Sequence, residues 1–185
     1  MSENHTNQLE SLGAVLHGHF ELTSGLHADT YIEKFRLLQQ PDITEKLCQE
    51  ISEKFHGLEI NTVAGPTTGG AILSFEVARQ MGIRSLIAES SAQGGREFRR
   101  GYTLGPKDRV LIIDDVLTTG GSVRDVINAV KHAGAEVVGV AILVDRSGGS
   151  IDFEIPLYAC ITLQIETFDP IECPLCQTNT TLLKT

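Results

Sequence analysis

Tryptophan is absent from this chain, methionine occurs twice, and aromatic residues make up only 5% of it. A core so poor in rings has to be built from aliphatic side chains. No apolar run reaches the ~18 residues of a membrane span, and the first residues lack the basic and apolar blocks of a secretion signal. A cytoplasmic protein without a membrane partner is therefore expected. Positive charge is also scarce: 15 Lys and Arg stand against 24 Asp and Glu, a net charge of −9. Such a surface repels phosphate backbones, so nucleic acid is not an expected partner. Four cysteines are too few for a disulfide scaffold in a chain of this size. Two common nucleotide signatures are missing as well. No two glycines lie two apart, which excludes G-x-G-x-x-G, and Ala71 stands where a P-loop beginning at Gly65 requires Lys.

What remains is the text of an α/β protein of one domain, 185 residues long. Leu9, Leu12, Val15 and Leu16 recur at helical spacing over Asn7 to Leu16. A β-hairpin follows, with Phe20 and Leu22 before a turn at Ser24 to His27 and with Tyr31, Phe35 and Leu37 after it. Asp42 is the expected N-cap of a helix that ends near Gly57. From there short apolar runs alternate with helical patterns. Strands are predicted at Asn61 to Ala64, Arg84 to Ala88, Val110 to Ile113, Val137 to Val144 and Leu157 to Ile165, with helices at Gly70 to Met81 and Gly121 to Ala133. Repeated βα units of this kind imply a parallel sheet flanked by helices.

Ligands of open α/β sheets bind beyond the carboxyl ends of the strands, and four loops leave those ends. In the strongest of them Asp114 and Asp115 close a buried strand, and Val116, Leu117, Thr118, Thr119, Gly120, Gly121 and Ser122 lead into a helix. The glycines let backbone amides approach a ligand, the hydroxyls donate, and the helix N-terminus adds its dipole, which together cradle a phosphate. Adjacent carboxylates suit the vicinal hydroxyls of a ribose or a divalent cation. Gly65, Pro66, Thr67, Thr68, Gly69 and Gly70 form a second anion loop. The stretch from Glu89 to Gly101 carries Arg96, Arg99 and Arg100 and is expected to act as a mobile lid. The fourth loop contains Arg146. Two phosphate loops with an acid pair between them describe a phosphorylated ribose that bears a further phosphate group.

Residues 110 to 122 resemble the phosphoribosyl pyrophosphate (PRPP) signature of type I phosphoribosyltransferases. Residues 13 to 27 and 145 to 149 are similar to the opening and the last core loop of the orotate phosphoribosyltransferases. The resemblance implies a type I phosphoribosyltransferase-like sheet with a small N-terminal hood, a helix plus β-hairpin, at about 1–40, a core at 41–165 and a short tail at 166–185. It further implies transfer of phosphoribose from PRPP to orotate in pyrimidine synthesis, with Asp114 and Asp115 on the ribose hydroxyls, residues 117–122 on the 5-phosphate and residues 65–70 on pyrophosphate. Magnesium would be held mainly through PRPP, without a firm protein ligand. Thr118, Arg146, Ser24, Gly25 and His27 would contact orotate. An Arg suits that role because a guanidinium pairs with a carboxylate in a bidentate fork. A homodimer with a shared lid is also implied.

The chain departs from that pattern at Ser90, Ser91 and Thr23, where cations are expected, so Arg96, Arg99 and Arg100 are assigned their work. A different nucleobase, or a non-catalytic PRPP-sensing regulator, are the alternatives. Lys34 and Arg36 read as strand residues with surface or interface charges. Cys173 and Cys176 form a CxxC, half of a zinc site that a partner subunit could complete. With Cys48, Cys160, His5, His17, His19, His27, His56 and His132 showing no ligand spacing, a packed or redox-idle pair is the expectation.

Overall fold

A computed structural model describes residues 7, 9–22 and 24–185; the sites at His5 and Thr23 lie outside them. The expected first helix is shorter than its periodicity implies. It is over by residue 11, and the left-handed Gly13 (φ +61°) turns the chain into strand β1, Val15–Glu21. β1 pairs antiparallel with β2, His27–Ile32, across the Ser24–Gly25 turn, which is the predicted hairpin.

The continuation past β2 differs from the sequence reading. Lys34–Leu38 is a helix, α1, and not a strand. The Glu33 carboxylate accepts the backbone N–H of Phe35 at 3.2 Å and caps the turn, so that Leu37 is buried while Phe35 stays exposed. Arg36 reaches back to donate to the Gly13 carbonyl at 2.8 Å. Helix α2, Pro41–Lys54, begins with Pro41 in its first turn and Gln40 at the cap position. Asp42 therefore lies inside the first turn, where a carboxylate favours the helix dipole, and is not the cap.

The core is a six-stranded sheet in the order β5-β4-β3-β6-β7-β8. Its members are β3 (Thr62–Pro66), β4 (Arg84–Ser90), β5 (Arg96–Phe98), β6 (Arg109–Leu117), β7 (Glu136–Asp145) and β8 (Leu157–Thr162). All neighbours run parallel except β5, which returns antiparallel along β4. Both faces are covered, as parallel sheets require. Along β6, Leu111 and Ile113 face a cluster containing Leu47 and Ile51 of α2 and Leu73 and Val77 of α3 (Gly69–Met81). Val110 and Ile112 face Val123, Val126 and Val130 of α4, Gly121–His132. That two-sided burial is why β6 reads as an unbroken apolar run.

The tail does not trail away. β9 (Thr167–Phe168) pairs with β2, and β10 (Leu182–Lys184) runs parallel to β1, giving a four-stranded hood sheet ordered β10-β1-β2-β9. Between them lies a single helical turn, α5, Pro174–Gln177. The hood is thus assembled from both ends of the chain.

Candidate active site

β3, β6 and β7 end on the same side of the core sheet, and their loops form the floor beneath the hood. The first, 65–70, enters α3 with no side chain capping its amides, and its Thr67–Thr68 peptide is cis. Close packing holds it: a Cβ on Gly65 would strike the Gly70 carbonyl, and one on Gly69 would strike the Asp115 carboxylate. The second, 118–120, enters α4 through Gly120 at φ +79°, again without a side-chain cap. Two helix N-termini thus offer unsatisfied backbone donors towards one floor, an arrangement made for anions.

The acid pair lies between them. Asp114 and Asp115 are 6% and 5% exposed. Asp115 accepts the Val116 N–H at 2.7 Å through Oδ1 and the Lys34 ammonium at 2.9 Å through Oδ2, while Asp114 accepts the Asp115 N–H at 2.9 Å. Burial first, and the neighbouring Asp115 charge second, push the Asp114 carboxyl above the ordinary carboxylate range. Folding therefore favours the protonated form of Asp114. The resulting cost of its charge is absent below the unfolded carboxylate range and grows as pH rises from there through the raised folded value. Asp114→Asn keeps the acceptor for the Asp115 N–H but cannot ionise. It is expected to be more stable than the parent at neutral and alkaline pH by roughly 1–3 kcal/mol and so to melt at a higher temperature, with the gap closing in acid, as thermal melts across pH will read. Turnover should fall, because the carboxylate is lost.

Above the floor a cleft of about 460 Å³ is lined by Ser24 and Tyr31 of the hood, by Lys34, by Asp115, Thr118 and Thr119, and by Arg146 and Thr185. Arg146 follows β7. Its loop is shaped by Asp145, which is 2% exposed and accepts the N–H groups of Ser147 at 2.7 Å and Gly149 at 3.1 Å. The Arg146 guanidinium lies 6.0 Å from the centre of the Tyr31 ring, and its buried Nε has no hydrogen-bond partner among the described residues. Burial pulls this guanidinium below the usual arginine range. An unsatisfied buried donor beside an aromatic face awaits an acceptor.

The stretch expected to be a loop lid is a hairpin of β4 and β5. Arg96 donates to the Thr67 hydroxyl at 2.8 Å and so reaches over the first anion loop. Arg99 and Arg100 are held instead by Glu97 and Glu89. Both pairs are exposed, and such pairs are worth little, so a polyphosphate can exchange for them.

The chain belongs with known proteins over most of its length. The phosphoribosyl transferase domain family matches residues 36–174. Orotate phosphoribosyltransferase of Desulforamulus reducens is 48% identical over 164 residues, covering 89% of this chain and 85% of that protein. Its counterpart from Caldanaerobacter subterraneus is 46% identical over 175 residues, covering 95% and 92%. This chain is a member of the orotate phosphoribosyltransferase family. Its fold agrees with the crystal structure of orotate phosphoribosyltransferase from Aeropyrum pernix, with a TM-score of 0.73 at 26% identity over 85% of this chain and 93% of that one. Orotate phosphoribosyltransferase of Mycobacterium tuberculosis, solved with inorganic phosphate, gives 0.70 at 25% identity over 86% and 94%.

For a phosphoribosyltransferase the placement of the expected residues is informative. Asp115, Val116, Thr118, Thr119, Ser24 and Arg146 meet in one cleft. Gly25 is exposed in the hood turn at φ +82°. His27 is a correction: its ring is buried and turned to His19, 2.9 Å away, on the side of the hood sheet that holds Cys173 and Cys176, so it does not line the cleft. Lys34 was missed as a site residue, because reading the segment as a strand gave no reason to aim it at Asp115. Asp145 was read only as the first residue of the last core loop, and Tyr31 only as a strand residue. An acid that closes a buried strand before Arg-Ser-Gly-Gly was the available signal for the former.

Proposed function

We propose that this chain transfers the 5-phosphoribosyl group from PRPP to orotate, giving orotidine 5′-phosphate and pyrophosphate on the cytoplasmic route to UMP. The observation that carries the orotate assignment is Arg146, a buried guanidinium with an unpartnered Nε beside Tyr31, in the same cleft as the acid pair and the hydroxyls of Thr118 and Thr119. A flat, carboxylated ring satisfies that donor fork and stacks against the phenol.

In this reading the amides and hydroxyls of residues 117–122 bind the 5-phosphate, residues 66–70 take the pyrophosphate, and Asp114 and Asp115 accept from the ribose hydroxyls. The N1 atom of orotate bonds to the ribose C1 as the bond from C1 to the pyrophosphate oxygen breaks, and the N1 proton leaves with the departing pyrophosphate or to solvent. Positive charge that builds on the ribose faces the two carboxylates, and the departing negative charge faces Arg96, Lys34 and the helix N-termini. Lys34 changes partner in this sequence, leaving Asp115 for a phosphate oxygen. Arg99 and Arg100, freed from Glu97 and Glu89, close over the diphosphate and exclude water.

A magnesium ion fits this floor as a companion of the substrate. In this reading the carboxylates of Asp114 and Asp115 are turned to the ribose hydroxyls once PRPP is bound, and Asp115 Oδ1 also accepts the Val116 N–H. The ion would then be held mainly through PRPP, without a firm protein ligand, as its preference for hydrated phosphate sites favours. It would supply neutralisation of charge on the leaving pyrophosphate.

The active form is a homodimer in this proposal. Ile72 and Phe75 of α3 are 43% and 66% exposed and border a shallow groove with Leu38 and Pro41, on the helix that starts at the first anion loop. Phe75→Asp is expected to shift the sedimenting mass from dimer to monomer and to lower activity with it. A dimer unchanged by that substitution places the interface elsewhere.

The function is tested with purified protein, PRPP and Mg2+, and orotate, uracil, adenine, guanine and hypoxanthine supplied together, the nucleotides being read by mass spectrometry. Orotidine 5′-phosphate is the expected product. Another nucleotide overturns the base assignment and leaves the donor site standing.

A further inference from the structure

The hood holds a cluster that transfer chemistry does not use. His19 on β1, His27 on β2, Cys173 at the cap of the turn α5 and Cys176 within it bring one ligand atom each to a common point, all four within 4.8 Å of one another. His19 Nε2 lies 2.9 Å from His27 Nδ1, 3.5 Å from Cys173 Sγ and 3.7 Å from Cys176 Sγ, and Cys176 Sγ lies 3.4 Å from His27 Nδ1. A tetrahedral centre with metal–nitrogen bonds of about 2.05 Å and metal–sulfur bonds of about 2.3 Å has nitrogen–sulfur edges of about 3.5 Å and a nitrogen–nitrogen edge of about 3.3 Å. The three nitrogen–sulfur distances lie within about 0.2 Å of that edge, and the nitrogen–nitrogen distance is about 0.4 Å shorter, so the two imidazoles would part slightly to admit the ion. We propose that His19, His27, Cys173 and Cys176 form a structural site for a tetrahedral divalent metal, zinc by ligand preference, that fastens the chain's tail to the hood.

Three further observations support the site. First, His19 Nδ1 lies 2.8 Å from the Thr180 carbonyl. Donation to that carbonyl leaves the Nε2 lone pair aimed at the cluster, the outer hydrogen bond that metal-bound histidines characteristically make. Second, His19, His27 and Cys173 are 2%, 5% and 0% exposed, and both cysteines are free thiols. Two imidazoles and two thiols, three of the four residues buried, are a soft donor set suited to zinc, whereas hard oxygen ligands are absent from it.

Third, the tail is joined to the hood by strand pairing but buries few side chains. From residue 162 to residue 185 Cys173 is the one buried side chain, and Ile171 and Leu183 are 90% and 50% exposed. Apolar burial cannot fix such a segment, and a small unit without a core is ordinarily secured by a metal or a disulfide. On binding, each thiol loses its proton to solvent as its sulfur bonds the metal. Two thiolates then balance the two positive charges, and the buried centre is neutral.

The site is built from the pieces that roof the cleft. Ser24 and Tyr31 belong to the β1–β2 hairpin, and Thr185 follows β10. Holding the tail against that hairpin keeps this roof in place. The proposal stands on geometry alone and does not depend on which base is used.

Metal content settles it. The untagged full-length chain, purified without chelator and with thiols kept reduced, is expected to hold one zinc per chain by mass spectrometry of the elements. Replacing the zinc with Co2+ should produce thiolate-to-cobalt charge-transfer absorption and the intense visible bands of a tetrahedral centre. Cys176→Ser changes an exposed side chain and should leave the far-ultraviolet circular dichroism unchanged, while it abolishes the charge-transfer signal of that thiolate, lowers zinc content severalfold and opens the tail to limited proteolysis. A parent protein with less than about a tenth of an equivalent of metal and no cobalt–thiolate absorption overturns the proposal. So does zinc retained equally by Cys176→Ser, or a Cys173–Cys176 disulfide in freshly isolated protein.

Discussion

Replacing Arg146 by alanine is expected to lower kcat/KM for orotate by about 10²- to 10³-fold while leaving the melting temperature nearly unchanged. The side chain contributes little to the fold: it makes no ion pair among the described residues, and its buried Nε is unsatisfied. Its removal therefore takes away an unfavourable desolvation together with some contact on Tyr31. Its value is realised only with a carboxylated ring in the cleft, where two parallel N–H donors meet two oxygens in a place partly shielded from water. The loss should be confined to the base. PRPP binding, followed by calorimetry without orotate, should be almost untouched, since the phosphates lie on the helix N-termini. Arg146→Lys should recover only a small part of the rate, because an ammonium keeps the charge but not the planar fork. Equal losses for orotate and for PRPP binding would mean that Arg146 serves the donor, and the base assignment would fall.

The parts of this molecule legible in its sequence are those in which local pattern and environment agree. β6 could be read because both of its faces are buried, so that every residue from Val110 to Ile113 is apolar. The anion loops could be read because glycine and hydroxyl residues between a buried strand and a helix have few other uses. The hood was less legible. Tyr31, Phe35 and Leu37 alternate as a strand would, yet the Glu33 cap turns the chain into α1, and the error concealed the reach of Lys34 to Asp115. A single capping hydrogen bond outweighed the alternation in so short a segment.

The histidine and cysteine cluster was beyond local reading for a different reason. Cys173 lies 154 residues from His19, and the pairing of β9 with β2 and of β10 with β1 carries the tail back to the hairpin. The available hint was a hairpin bearing a histidine on each strand together with a distant CxxC. Such a pattern acquires meaning once the tail is known to return. The lid failed in part as well: three arginines near an anion loop were expected to face it, but only Arg96 does, because Glu89 and Glu97 lie in register along the β4–β5 hairpin and take the other two.

Gly69→Ala should be the most damaging small substitution in the floor, with kcat/KM falling by at least about 10²-fold. Helix propensity alone gives the opposite expectation, since alanine in the first turn of α3 would stabilise it by up to about 1 kcal/mol. Space decides the outcome. The added methyl would overlap the Asp115 carboxylate and would also come within 2.9 Å of the Asp115 Cβ. Rotating the carboxylate relieves the first contact but not the second, so the backbone of the 65–70 loop or the end of β6 has to move. Either shift separates the pyrophosphate amides from the ribose acids, the geometry on which an in-line transfer depends. The Lys34–Asp115 contact, 2.9 Å in the parent, should break with it. Gly105→Ala, whose new methyl meets no atom within 4 Å, is the control and should keep full activity. If Gly69→Ala turns over normally, the first anion loop and the acid pair are not mechanically joined, and residues 65–70 do not hold the leaving group in the way proposed.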